Sequence, residues 1–184
     1  MFNILNNLFS KTIEIKIKNN QILLPEDYIT GIPLIDSQHL AFFTFLNNFQ
    51  VILEKGSISE VEINKSLIFL YNYIDLHFKT EETILKQFLS DSEFVYKNQF
   101  REHKLFIQKL EEKIRLIKEK GINIETVTSI NKLIANWFIQ HIKHSDIQLW
   151  KKLKEIWFKE ENLKLNEDLK TLAYKTNLLN NFKF

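Results

Sequence analysis

His77-Phe78-Lys79-Thr80-Glu81 places an imidazole and a carboxylate one helical turn apart in a segment otherwise rich in apolar and aromatic side chains. On a helix, residues four apart differ by about 40° around the axis and about 6 Å along it, so both side chains address the same space. Taken alone, such a pair is most often a half-buried histidine beside a surface glutamate. Its meaning turns on whether other segments bring matching partners into the same interior.

Outward from this stretch, apolar residues recur at spacings of three and four in four long segments, the signature of amphipathic helices. The helix carrying the pair opens at Ser59 and Glu62, a capping-box pattern, runs through Leu67, Leu70, Ile74, Phe78 and Leu85, and ends near Phe88. Ahead of it a helix from about Ser37 to Lys55 carries Leu40, Phe43, Leu46, Phe49 and Leu53 and stops at Gly56. Behind it a third follows the Ser90-to-Glu93 capping pattern through Phe100, Phe106, Leu110, Ile114 and Ile117 to Gly121. A fourth, from about Glu125, carries Ile130, Leu133, Ile134, Trp137, Phe138, Ile142 and Leu149. Long amphipathic helices with short connections predict an all-α, antiparallel up-down-up-down four-helix bundle.

Two flanks fall outside that count. The run from Thr12 to Lys18 alternates with period two, and Asn19-Asn20 could turn the chain into Ile22-Leu23-Leu24, giving an arm with a short hairpin over residues 1–30. The bundle then spans 31–160, with the fourth helix running on through Leu153, Ile156 and Trp157. A C-terminal helical extension over 161–184 carries Leu165, Leu169, Leu172 and Leu179.

Composition narrows the chemistry. The 184 residues suffice for one domain with a core plus extensions, and only 3 Gly and 2 Pro interrupt them. With 25 Lys and Arg against 23 Asp and Glu, no charge field recruits nucleic acid, and the lysines from Lys151 to Lys154 read as a helix's polar face. The chain has no cysteine, which excludes disulfides, thiolate metal sites and Cys nucleophiles, and fits a reducing, cytoplasmic setting. No apolar run approaches the roughly 20 residues of a membrane span, and no signal peptide is recognisable, so a soluble protein is expected.

Each helix also supplies at least one candidate ligand from among its apolar positions: His39 on the first, His77 and Glu81 on the second, His103 on the third, His141 and Asp146 on the fourth. Four imidazoles and two carboxylates suit iron, manganese or zinc, and two carboxylates can each bridge two metals. Buried carboxylates without a compensating cation cost several kcal/mol each, so a metal pair is the natural occupant. His144 projects to the side and is expected to face away. A local widening of the fourth helix into a π-type turn would relax the awkward angle between His141 and Asp146. Glu82 and Glu102 read as solvated surface charges.

The order His39, His77-x-x-x-Glu81, His103, His141-Ile142-x-x-x-Asp146 resembles the hemerythrins, in particular the single-domain bacterial members. The flanking Tyr28-Ile-Thr-Gly-Ile-Pro-Leu-Ile-Asp-Ser-Gln-His39, His77-Phe-Lys-Thr-Glu-Glu82 and Trp137-Phe-Ile-Gln-His-Ile142 are similar to that family's helices as well, over roughly Leu24 to Lys151. The resemblance implies a non-haem di-iron centre that binds dioxygen reversibly. His39 and His77 would serve the iron that takes dioxygen and His103 and His141 the other, with Glu81, Asp146 and an oxo or hydroxo group bridging. It also implies that Phe42, Trp137, Phe138 and Ile142, which periodicity reads simply as core, wall the dioxygen pocket.

One position departs from the pattern: where the family's third helix carries a second histidine, this chain has Gln99, one turn before His103. An amide oxygen is a neutral and weaker ligand, and three outcomes stay open: Gln99 binds the metal, Gln99 holds a bound water, or that metal is lost or weakly held. The expected function is oxygen storage, delivery or sensing. Two alternatives stand beside it: a di-iron redox enzyme acting on nitric oxide or peroxide, and a signalling module whose C-terminal extension mediates a homodimer or docks a protein partner.

Overall fold

The computed structural model describes residues 16–18, 21–55, 59–89, 94–157 and 167–180. Residues ahead of 16, the Asn19-Asn20 turn, the Gly56 stop, the Ser90-to-Glu93 cap and Leu165 lie outside the described residues, as do the side chains of Ile156, Trp157 and Leu169.

Two short strands, β1 (Lys16–Lys18) and β2 (Gln21–Leu23), pair antiparallel with Ile17 opposite Ile22. So short a hairpin is marginal in water by itself, and β2 rests on the first helix. That helix, α1 (Pro33–Glu54), begins four residues earlier than expected. Proline has no N–H to lose and a φ preset for the first turn, so Pro33 starts the helix where periodicity sees nothing. Ahead of it, Gly31 has φ 79°, a left-handed conformation that favours glycine. The Thr30 N–H and hydroxyl both donate to Asp36 Oδ1 at 2.7 Å and the Gly31 N–H to Oδ2 at 2.9 Å. Asp36 thereby folds the preceding segment back over the helix start, where a carboxylate is also favoured by the helix dipole.

Helix α2 (Glu60–Phe88) opens with the Ser59 hydroxyl accepting the Glu62 N–H. Helix α3 (Phe94–Lys120) ends at Gly121, whose φ of 77° turns the chain and whose N–H donates to the Ile117 carbonyl at 2.8 Å. Helix α4 (Ile124–His141) opens with a reciprocal capping box between Asn123 and Thr126. A π-helical turn, Ile142–Asp146, then leads into α5 (Ile147–Trp157). The last helix, α6 (Glu167–Asn180), packs on α1 and α2.

Local placement of the candidate ligands fixes the topology. His39 lies near the start of α1, His77 and Glu81 near the end of α2, Gln99 and His103 near the start of α3, and His141 at the end of α4. For these to meet, successive helices must alternate in direction, and the chain is an antiparallel helical bundle. The polar layer they form separates two apolar clusters. A larger one is built around Phe42, Phe43, Phe69, Tyr73, Phe106 and Phe138, and a smaller one around Ile35, Leu76, Leu85, Trp150 and Leu172. Among the described residues no helix is long and apolar enough to cross a membrane.

Candidate metal centre

All six expected ligands are buried, together with Gln99: His39, His77, Glu81 and Asp146 have no exposed surface, and Gln99, His103 and His141 are almost as enclosed. They form two groups whose donor atoms converge, one of His39, His77, Glu81 and Asp146, the other of Glu81, His103 and His141. The π turn brings Asp146 into place. Its wider ring, with the Ile147 N–H reaching back to the Ile142 carbonyl, lets residues five apart share a face, and His141 Nε2 lies 3.1 Å from Asp146 Oδ1. His144 is exposed, outside the cluster.

Outward nitrogens set the direction of every ring. His39 Nδ1 meets the Tyr28 carbonyl at 3.2 Å, an atom positioned by the fold-back that Asp36 holds. His77 Nδ1 meets Gln38 Oε1 at 3.1 Å, while the Gln38 amide group donates to the Thr80 and Thr176 hydroxyls, both at 2.9 Å. His103 Nδ1 meets Glu82 Oε1 at 3.1 Å, and His141 Nδ1 meets Glu102 Oε2 at 2.8 Å. Each partner is an acceptor, so each Nδ1 carries the hydrogen and all four Nε2 atoms point inward, the arrangement a metal requires.

Glu82 and Glu102 therefore correct the expectation of solvated surface charges. Their side chains are only 24% and 30% exposed, and each is bound to a ring on a different helix. Ser145, within the π turn, donates to the same Glu102 oxygen at 2.6 Å.

The two sides of the centre differ electrostatically. Burial drives His77 down to about 3 against the pull of Glu81. On the other side burial is overcome: Asp146, Glu102 and Glu81 raise His141 to about 10, and Glu81 and Glu82 raise His103. Burial alone would raise Glu81, yet His77, His103 and His141 hold it well below the usual carboxylate range. Asp146 is raised by burial and by Glu81. Glu102 is held at about 2, its burial outweighed by His141 and Ser145.

Metal binding can be tested against the polar atoms themselves. His39 Nε2, His77 Nε2, Glu81 Oε1 and Asp146 Oδ2 are all buried without a hydrogen-bond partner. Such atoms carry a desolvation cost that only a ligand relieves, and here four of them face one another. The donor set of imidazole and carboxylate fits a first-row divalent cation.

Aromatic rings close the centre off. On the His77 side the Phe42 ring stacks on Phe138 at 4.0 Å and on Tyr73 at 5.3 Å, and Tyr73 stacks on His77 at 5.4 Å. Ile142 is fully buried in the same apolar cluster. Trp137 stands elsewhere: it stacks on His141 at 4.2 Å, while Phe78 lies parallel to His103 at 3.8 Å. The expected pocket wall is thus divided between the two sides. Periodicity reads Phe78 only as core and gives no signal for Tyr73, although Tyr73 lies one turn before His77 and Phe78 follows it directly.

A family model for the hemerythrin HHE cation-binding domain matches residues 30–153. The chain belongs to the hemerythrin family. Its fold is that of a hemerythrin-like cation-binding domain, and its buried His, Glu and Asp groups are the metal-binding groups such a domain needs. Comparison with curated proteins and with solved structures gave no significant match.

Proposed function

We propose that this chain binds dioxygen reversibly at a non-haem di-iron centre held by His39, His77, Glu81, His103, His141 and Asp146, with an oxo or hydroxo group completing the bridge. The observation that supports it most is how the two carboxylates divide. Glu81 Oε1 and Asp146 Oδ2 face His39 and His77, at 3.4 to 3.9 Å from their imidazole nitrogens. Glu81 Oε2 and Asp146 Oδ1 face the other side, at 3.0 Å from His103 Nε2 and 3.1 Å from His141 Nε2 respectively. Two carboxylates that each offer one oxygen to either side are arranged to hold two cations rather than one.

Iron in such a centre supplies the electrons and the open coordination position that dioxygen needs. This chain's contribution is enclosure and orientation. His39, His77 and one oxygen each of Glu81 and Asp146 would hold the cation on their side, and Phe42, Tyr73, Phe138 and Ile142 keep water from it. A small apolar diatomic suits such a wall, and charged oxidants or reductants do not. Storage, delivery or sensing of oxygen in a bacterial cytoplasm fits this chemistry.

A second reading, a redox enzyme turning over nitric oxide or peroxide, draws on Tyr73. Its phenol is buried with no hydrogen-bond partner, and burial together with Glu81 and Asp146 keeps it protonated. It is therefore a spare donor beside His77.

The two readings separate in one experiment. Iron-loaded, reduced protein is exposed to oxygen, then degassed, with the visible spectrum followed throughout. The carrier reading expects a band that forms with oxygen and bleaches on degassing through repeated cycles. Irreversible oxidation in the first cycle, or steady consumption of nitric oxide or peroxide, overturns it.

A further inference from the structure

We infer that Gln99 is a metal ligand: its side-chain amide oxygen takes a coordination position on the His103/His141 side, in the place of the missing histidine. This rests on the two-metal reading above and deepens it.

The assignment comes from the spacing of the donors. Glu81 Oε2, His103 Nε2, His141 Nε2 and Asp146 Oδ1 follow one another at 3.0, 3.1 and 3.1 Å, and His141 Nε2 to Glu81 Oε2 measures 3.8 Å across. The terminal Gln99 Nε2 lies 3.0, 3.4, 3.1 and 2.8 Å from these four atoms in the same order. Neighbouring ligands around an octahedral cation with bonds of about 2.2 Å are about 3.1 Å apart. The end of the Gln99 side chain therefore sits where a fifth ligand would cap the other four, not where the cation itself would lie. One further position is left, on the side of a bridging group.

The amide presents its NH2 to these atoms because its two hydrogens meet the two carboxylates, Asp146 at 2.8 Å and Glu81 at 3.0 Å. A half-turn about the last carbon–carbon bond exchanges nitrogen and oxygen in nearly the same place, since the two ends of an amide are close to isosteric. A cation favours the oxygen; bare carboxylates favour the NH2. Gln99 thus faces inward in both situations and needs no rearrangement of the helix to ligate.

A neutral amide oxygen donates less strongly than imidazole. It therefore holds the cation on this side less tightly than a histidine at the same place would.

The test is a titration of the full-length, metal-free protein with cobalt(II) alone, reading stoichiometry and both dissociation constants. The wild type should take two ions per chain. Gln99→Leu, which keeps the volume but has no oxygen, should weaken one of the two ions about tenfold or more and leave the other within about twofold. Gln99→His and Gln99→Glu, which put a stronger donor at the same reach, should each tighten the ion that Gln99→Leu weakens. If the wild type holds a single ion, or Gln99→Leu matches the wild type at both sites, the assignment is wrong. Should Gln99→Leu not fold, two ions both bound no more tightly in Gln99→Glu and Gln99→His than in the wild type overturn it equally. The dioxygen reading fails separately: both ions bound as described, with no reversible oxygen spectrum, leaves the Gln99 assignment standing.

Discussion

Each imidazole in the centre owes its direction to whatever its outer nitrogen touches. Two of those partners are neutral, the Tyr28 carbonyl and the Gln38 amide, and two are carboxylates, Glu82 and Glu102. A carboxylate partner makes the ring more basic and the metal bond stronger, so Glu82 and Glu102 offset part of the weakness that Gln99 introduces on their side. Glu102→Gln should weaken cation binding there about 10- to 100-fold while leaving the His39/His77 side nearly unchanged, measured by cobalt(II) titration. The same pair predicts a pH signature for the metal-free protein. His141 is raised to about 10, so its contribution is complete below its unfolded value near 6.5 and is lost as pH rises through 10. Glu102 is held at about 2, so its contribution is complete above about 4.5 and is lost as pH falls toward 2. The difference in melting temperature between wild type and Glu102→Gln should be largest between about pH 4.5 and 6.5, shrink steadily above about 6.5 and be small by about pH 10. A difference that stays constant across that range contradicts the pairing. The ligands themselves were legible because four-residue spacing on a helix is local geometry. The outer partners were not: Glu102 follows its own helix in sequence yet serves His141 on α4, and only the rotation of α3 against α4 decides that.

Two elements carry more of the site than their sequences advertise. The π turn converts an awkward five-residue spacing into a shared face, and that spacing was itself the clue to it. Helix α6 gave no such clue. In the structure Leu172 is buried in the smaller apolar cluster and Leu179 packs against both clusters, while Leu178 and Tyr174 stay exposed. Thr176 is buried as well, and its hydroxyl accepts from the Gln38 amide that orients His77. A threonine in a polar stretch carries no periodic signal, and the contact spans 138 residues of sequence. Thr176→Val keeps the shape and removes the acceptor. It should lower stability by about 1 kcal/mol, from the lost bond to a buried donor, and speed cation loss from the His39/His77 side. Chemical denaturation and the rate of cobalt(II) transfer to a chelator measure the two effects. Lowered stability with unaltered transfer would mean that α6 braces the bundle without reaching the metal.

At the scale of the molecule, a layer of buried charge divides the hydrophobic interior in two. Glu81 and Asp146, both without exposed surface, make that layer costly until cations occupy it. Cation binding should therefore stabilise the whole fold. At a free concentration 1,000 times the dissociation constant the gain is about 4 kcal/mol, which for a domain of this size raises the melting temperature by about 8 to 16 °C. Calorimetry with and without cobalt(II) measures it, and an unchanged transition contradicts a preformed centre. The bundle could be read from its periodicity almost element by element. Leu40 shows where periodicity stops: it continues the stripe of α1 but is 36% exposed, because a helix stripe says which side turns inward and not how far the cover extends. The central claim is that Glu81 and Asp146 bridge two cations inside the bundle. Anomalous diffraction at the iron edge, from crystals of iron-loaded protein, tests it most directly. The expected map shows two peaks, one on either side of the two carboxylates, flanked by His39 and His77 on one side and by His103 and His141 on the other. A lone peak there, or none between these side chains, would contradict it.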